Sequence, residues 1–223
     1  MKQRSRPIGW HKVCVRDGAA TTVSRLVLRF IDVLIVPWLL GADILFAYLA
    51  ARALACLVPL LLAFLHIKAL PQLVYLSQLQ QNNAFRAAAA RINLGYLMVC
   101  GSAALLVLLV ARHLIIPLGI SNLAFSELVI WLVIGQSAPV LFGATRLLMQ
   151  ATGRSIFCDL LSCLTSAFFL ISLILSTGND GVFIAQTFAA AQMAHACICA
   201  LLLTQCGVWP GLTALFHNEL RIF

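Results

Sequence analysis

The sequence predicts an all-α integral membrane protein with six transmembrane helices, N-in/C-in. Three observations predict it. Hydrophobic residues make up 62% of the 223-residue chain and charged residues 10%, against about 25% charged in a soluble domain. Mean hydropathy is +1.01. Six apolar stretches reach the length of about 20 residues that a membrane helix needs.

The six stretches follow in order. The first runs about Ala19 to Gly41 and the second about Ile44 to Ile67. The third, Leu94 to Ala111, carries no formal charge. The fourth is Leu128 to Met149, the fifth Ile156 to Ser176 and the sixth Val182 to Cys206. Basic residues concentrate on cytoplasmic flanks of membrane spans. Placing both termini inside puts Lys2 to Arg16, Lys68, Arg86, Arg91, Arg154 and Arg221 in the cytoplasm. Only Arg112 then falls clearly outside, with Asp43, Glu127 and Asp180 in the outer turns. The organisation expected is a basic cytoplasmic N-terminus (1–18), a six-span membrane domain (19–206) and a cytoplasmic tail (207–223). The first stretch lacks the short apolar core and small-residue cleavage site of a signal peptide.

Between the second and third spans, residues 71–93 read as a cytoplasmic helical connector, partly amphipathic. Leu73, Leu76 and Leu79 share one side at a spacing of three. Pro37, Pro59, Gly95, Gly101, Gly135, Pro139 and Gly143 interrupt the spans. Each marks either a hinge or static close packing.

The first span contains Arg25, Arg29 and Asp32. A central charge costs about 2.5–3.5 kcal/mol on insertion scales, while twelve Leu, Ile, Phe and Val residues return roughly 4–7 kcal/mol. Three buried charges would cancel that, so they must be eased by snorkelling, pairing or a wet cavity. Arg25 lies near the inner end, within snorkelling reach. Arg29 and Asp32 share a helix face. The second span adds Arg52. Asp32 lies ten residues before Ala42 and Arg52 ten after it, so an antiparallel hairpin sets both at one depth. The expectation is a polar cluster of Arg29, Asp32 and Arg52 facing a central cavity, or an ion pair that fixes two helices together.

Gln136 falls near mid-depth in the fourth span, and Gln186, Gln192 and His195 in the sixth. Such residues commonly bridge helices. Arg154 is placed to neutralise Asp159. The eight cysteines form no CxxC pair and read as small buried hydrophobes, so no metal is expected. No HExxH, GxSxG or P-loop motif is present, and no enzyme is predicted. With a net charge of +8 explained by membrane flanks, nucleic acid is not an expected partner.

The stretch LRFIDVLIVPWLLGADILFAYLAARAL carries Asp32, Leu40-Gly41, Tyr48, Ala50-Ala51 and Arg52. It resembles the opening of the second half of the polysaccharide (oligosaccharide-lipid) flippases, of the superfamily that includes the multidrug and toxin extruders. The proline-led polar run 69–98 is similar to that family's cytoplasmic connection. Residues 116–155, ending in Leu147-Leu148 and Gly153, resemble its outer loop and tenth span. The likeness covers about residues 20–178 through loose hydrophobic patterns in a matching order. It implies one lobe of a two-lobe flippase that carries a lipid-linked oligosaccharide across the cell inner membrane for polysaccharide or lipopolysaccharide biosynthesis, the alternatives being half of a cation-coupled multidrug exporter or a non-transporting membrane subunit. It also implies a second six-helix lobe or a homodimer, and contact with membrane lipid. No cofactor is implied beyond a coupling ion, H+ or Na+. The substrate-binding residues expected on this reading are Arg25, Arg29, Asp32, Arg52 and Gln136, the arginines meeting phosphate.

Overall fold

A computed structural model describes residues 30–79, 81–118, 122–175, 180–205 and 207–208. The basic N-terminus, Arg25 and Arg29, and the tail beyond 208 lie outside the described residues. Among those described, all regular structure is helical. The helices are α1 (Phe30–Leu39), α2 (Ala42–Ala55), α3 (Leu57–Gln78), α4 (Asn82–Leu118), α5 (Asn122–Gln136), α6 (Ala138–Phe142), α7 (Thr145–Ala151), α8 (Ser155–Leu175) and α9 (Gly181–Gln205). Four stretches are long and apolar enough to cross a membrane: 44–78, 83–111, 155–175 and 181–205. They have the length and composition of a multi-pass membrane protein.

Each apolar stretch of the sequence is helical where it is described, but two differ from a simple span. Residues 71–93, read as a helical connector, are helical on both sides of a turn. Residues 71–78 continue α3, residues 82–93 open α4, and the chain reverses at 79–81. At 1.5 Å per residue the 37-residue α4 is about 55 Å long, well beyond a bilayer core of about 30 Å. Leu73 is buried and Leu76 packs against the core, while Leu79 is exposed at the turn.

The fourth stretch is broken into α5, α6 and α7. Pro139 has no N–H to donate to Gly135, four residues back. Ser137 at the break shares its N–H between Val133 O (2.8 Å) and Ile134 O (3.1 Å). Gly143 then takes φ +73°, a left-handed conformation that only glycine enters cheaply. Proline acts in the same way at the α2–α3 junction. There Pro59 leaves Ala55 O without its helical donor, and a turn at Cys56 separates helices that otherwise run on. Gly153, with φ +74°, ends α7. Arg154 N reaches back to Met149 O at 2.8 Å and Gly153 N to Gln150 O at 3.1 Å, the pair of bonds that closes a helix C-terminus in this way.

Helices α5 and α9 form the centre, with α5 also against α2, α8 on α9, and α3 along α4. The α5–α9 contact is tight because Gly135 faces Ala189: a Cβ on Gly135 would lie 2.9 Å from Ala189 Cα. Small residues let membrane helices approach this closely. Gly95 and Gly101 meet nothing within 4 Å and sit inside an unbroken α4, so neither is a packing site. The buried core holds Tyr48, Phe125, Phe169 and Phe188. The outer surface is apolar: Trp38 is 88% and Ile174 80% exposed. Such a surface suits acyl chains rather than water.

Candidate functional site

Asp32 and Arg52 do meet. Asp32 Oδ2 lies 2.6 Å from Arg52 Nε, and Arg52 Nη2 approaches Oδ1 at 3.4 Å. The Tyr48 hydroxyl donates to Oδ2 at 3.0 Å. Arg52 Nη1 reaches Cys56 Sγ at 3.5 Å. Its guanidinium sits 4.5 Å from the centre of the Phe188 ring, within cation–π range. Local register explains the meeting. The short Leu40-Gly41 link folds α1 back toward α2, and Tyr48 and Arg52, four apart, share one face of α2. Phe188 comes from α9, far along the chain.

This cluster is dry. Asp32 is 0% exposed, Arg52 2% and Tyr48 0%. Of the two expectations for the cluster, the geometry matches an ion pair that pins α1 to α2 and seats Arg52 of α2 against α9. It does not match a guanidinium held open to a cavity.

A cleft with polar groups in a largely apolar lining lies elsewhere. A cavity of about 430 Å³ opens between α3, α4, α5, α7 and α9, lined by His66, Tyr96, Gln136, Arg146, Gln192 and His195. Gln136, expected in the binding set, lines it, and its buried Nε2 has no hydrogen-bond partner. His66 Nε2 meets Gln150 Oε1 at 2.9 Å, and Tyr96 Oη meets His66 Nδ1 at 3.4 Å. These contacts tie α3, α4 and α7 together at one wall. Asn93 Oδ1 accepts from Ala144 N at 2.9 Å, covering a backbone donor exposed by the α6–α7 break. Arg146, whose side chain is one-third exposed, brings positive charge to the cleft. Its Nη2 stands 3.5 Å from Asp159 Oδ1, in the role the sequence suggested for Arg154. Sequence spacing hides this pair, because the Gly153 turn folds α7 back beside α8.

His195 bridges helices, as its position in an apolar run suggested. Its Nε2 meets Ser162 Oγ of α8 at 3.0 Å. It also brings together side chains that sequence reading left apart. Cys158 Sγ, Cys199 Sγ and His195 Nε2 stand 3.9 Å from one another on every side. All three residues are buried. The legible signal was His195 and Cys199 at i, i+4 on one helix face. Cys158, on another helix, had no mark in the sequence. Gln186 is exposed and takes no part. No family model, curated protein or solved structure matches this chain.

Proposed function

We propose that this chain is one membrane lobe of a carrier that moves a polyprenyl-pyrophosphate-linked oligosaccharide across the inner membrane, for polysaccharide biosynthesis. The observation that supports this reading is the cleft between the helices, whose largely apolar lining brings several polar side chains together. Arg146 offers charge-assisted bonds to phosphate. Gln136, Gln192, His66 and Tyr96 offer the mixed donors and acceptors that sugar hydroxyls need. The broken α5–α6–α7 run forms part of the wall, and transporter sites are commonly built beside discontinuous helices. The phosphate-meeting cation assigned here is Arg146, in place of Arg52.

The N-in/C-in orientation belongs to the same reading. Arg86 approaches Gly207 at the end of α9, and Lys68 and Arg91 flank the same α3–α4 hairpin. That basic end is cytoplasmic by the positive-inside rule. The opposite end gathers Leu40, Ile44 and Leu128 around Gly181. A coupling ion, H+ or Na+, and a second lobe or second copy complete the carrier.

A second reading is favoured by one observation, the dry Asp32–Arg52 pair. A membrane subunit that only anchors a partner needs such a bolt and no moving cation. Complementation separates the two. A strain lacking its polysaccharide flippase, given this chain together with its partner lobe, should regain surface polysaccharide. Arg146→Ala should abolish the rescue at unchanged membrane abundance. Rescue that survives Arg146→Ala and Gln136→Ala together refutes the cleft as the substrate path. Absence of rescue by the unmutated pair favours the anchoring subunit.

A further inference from the structure

We propose that Cys158, His195 and Cys199 form a binding site for one Zn(II) ion, held by two thiolates and one imidazole. The three donor atoms form a triangle with 3.9 Å sides. The centre of such a triangle lies about 2.3 Å from each corner. Zinc bonds sulfur at about 2.3 Å and imidazole nitrogen at about 2.0–2.1 Å, so the apices already stand where a metal would draw them. A shift of about 0.2 Å at Nε2 completes the fit, within the tolerance of a credible site.

The positions are fixed by two packed helices. His195 and Cys199 lie one turn apart on α9, and Cys158 faces them from α8. Cys158 and Cys199 are almost wholly buried and His195 is 8% exposed, so the donors carry little rotamer freedom to lose. His195 also lines the cleft, which gives an ion a path to the site. The Ser162 hydroxyl, 3.0 Å from Nε2, donates to the Cys158 carbonyl at 2.9 Å, so the protein supplies three donors and leaves the fourth position open.

Charge selects the metal. Two thiolates and Zn(II) sum to zero, which suits a site closed off from water. Cu(I), with the same preference for sulfur, would leave one uncompensated negative charge. Binding requires loss of both thiol protons to solvent, with no change in oxidation state. The site uses none of the residues assigned to transport, meeting the cleft only at His195, and it stands whether or not the chain is a carrier.

The test uses the full chain, purified in detergent under reductant and incubated with ZnSO4, then desalted. Elemental analysis should find one zinc per chain. Cys158→Ser, Cys199→Ser and His195→Ala should each lower retained zinc at least tenfold. Cys163→Ser and Cys197→Ser, on the same two helices but outside the triangle, should leave it at one. Elution volume guards against misfolding of the variants. Should the triangle variants not fold, Co(II) loaded into the unmutated protein answers instead, by showing or lacking thiolate-to-cobalt charge-transfer absorption. Less than a tenth of a zinc per chain, zinc unchanged in the triple variant, retention of Cu(I) but not Zn(II), or a Cys158–Cys199 disulfide in the reduced preparation each overturns the assignment.

Discussion

Replacing Arg52 with methionine keeps the side-chain stem but removes the cation. It leaves the Asp32 carboxyl with the Tyr48 hydroxyl as its remaining partner among the contacts described above. The pair being broken is short, 2.6 Å, and completely enclosed. Removing one member of a buried ion pair costs about 3–5 kcal/mol, mainly through the charge left behind. Loss of the contact with the Phe188 face adds about 0.5–2 kcal/mol. Asp32→Asn should cost less than Arg52→Met, because a neutral amide still accepts from the guanidinium. In the double variant both charges are gone and the enclosed volume is nearly kept, so most of the loss should be recovered. The expected coupling in a double-mutant cycle is therefore about 2–3 kcal/mol, at the top of the range for residues in contact. The assay is reversible unfolding in mixed micelles of SDS and a mild detergent, followed by helix content. Additive losses, with coupling below about 0.5 kcal/mol, would refute the claim that the two side chains form one enclosed unit.

Four further outcomes follow from the same geometry. Gly135→Val should destabilise by about 1–3 kcal/mol, the usual cost of overpacking, because its Cβ meets Ala189 Cα at 2.9 Å; Gly95→Ala and Gly101→Ala should be neutral or gain about 0.5–1 kcal/mol, and thermal stability in detergent ranks all three. Gly153→Ala, at φ +74°, should lose about 1–2 kcal/mol through left-handed strain, read in the same unfolding assay. Cysteines placed at Gln81 and at Asp180 in a cysteine-free chain should label from opposite faces with an impermeant maleimide; labelling from one face would contradict the N-in/C-in reading. Amides of α7 should exchange hydrogen faster than those of α9, since α7 is a seven-residue helix between two left-handed glycines; equal protection would show the broken segment to be as firm as the spine.

What the sequence revealed depended on how local the cause was. The meeting of Asp32 and Arg52 was legible because a two-residue link sets equal residue counts to equal depths. Its dryness was not legible, since the seal includes Phe188, more than 130 positions onward. Pro139 and Gly143 announced a disturbance in the fourth stretch. That it amounts to two breaks depends on Gly143 taking a left-handed backbone, and on Asn93 from another helix receiving the freed Ala144 N–H. The continuation of α3 and α4 through residues 71–93 was masked by polarity: these residues look like a connector because they are less apolar, yet the helix runs through Pro71 and pauses only at the turn at 79–81. The cysteines carried the least information. A buried thiol in an apolar run looks the same whether it faces leucine or imidazole, and only the relative rotation of α8 and α9 decides which.

That rotation gives α9 a particular place in the assembly. Phe188, Gln192, His195 and Cys199 are spaced by four, three and four residues, which lines them along one stripe of a helix. The stripe spans about 16 Å at 1.5 Å per residue. Phe188 meets the Arg52 guanidinium at one end of it. Gln192 and His195 line the cleft in the middle, and Cys199 closes the sulfur–imidazole triangle at the other end. One helix therefore supports the ion-pair bolt, the cleft and the candidate metal site at once. Helices as close as α5 and α9 at Gly135 and Ala189 have little room to slide, because their backbones already touch. The wall of the cleft that is broken is α6 and α7. That wall is held both by hydrogen bonds from His66 and Asn93 and by the buried Leu147, Leu148 and Met149 of α7. Apolar and ionic contacts fix α1, α2, α5 and α9 as a frame, and the segment that carries Arg146 is packed into the same core through Leu147, Leu148 and Met149, with polar bonds added at its ends.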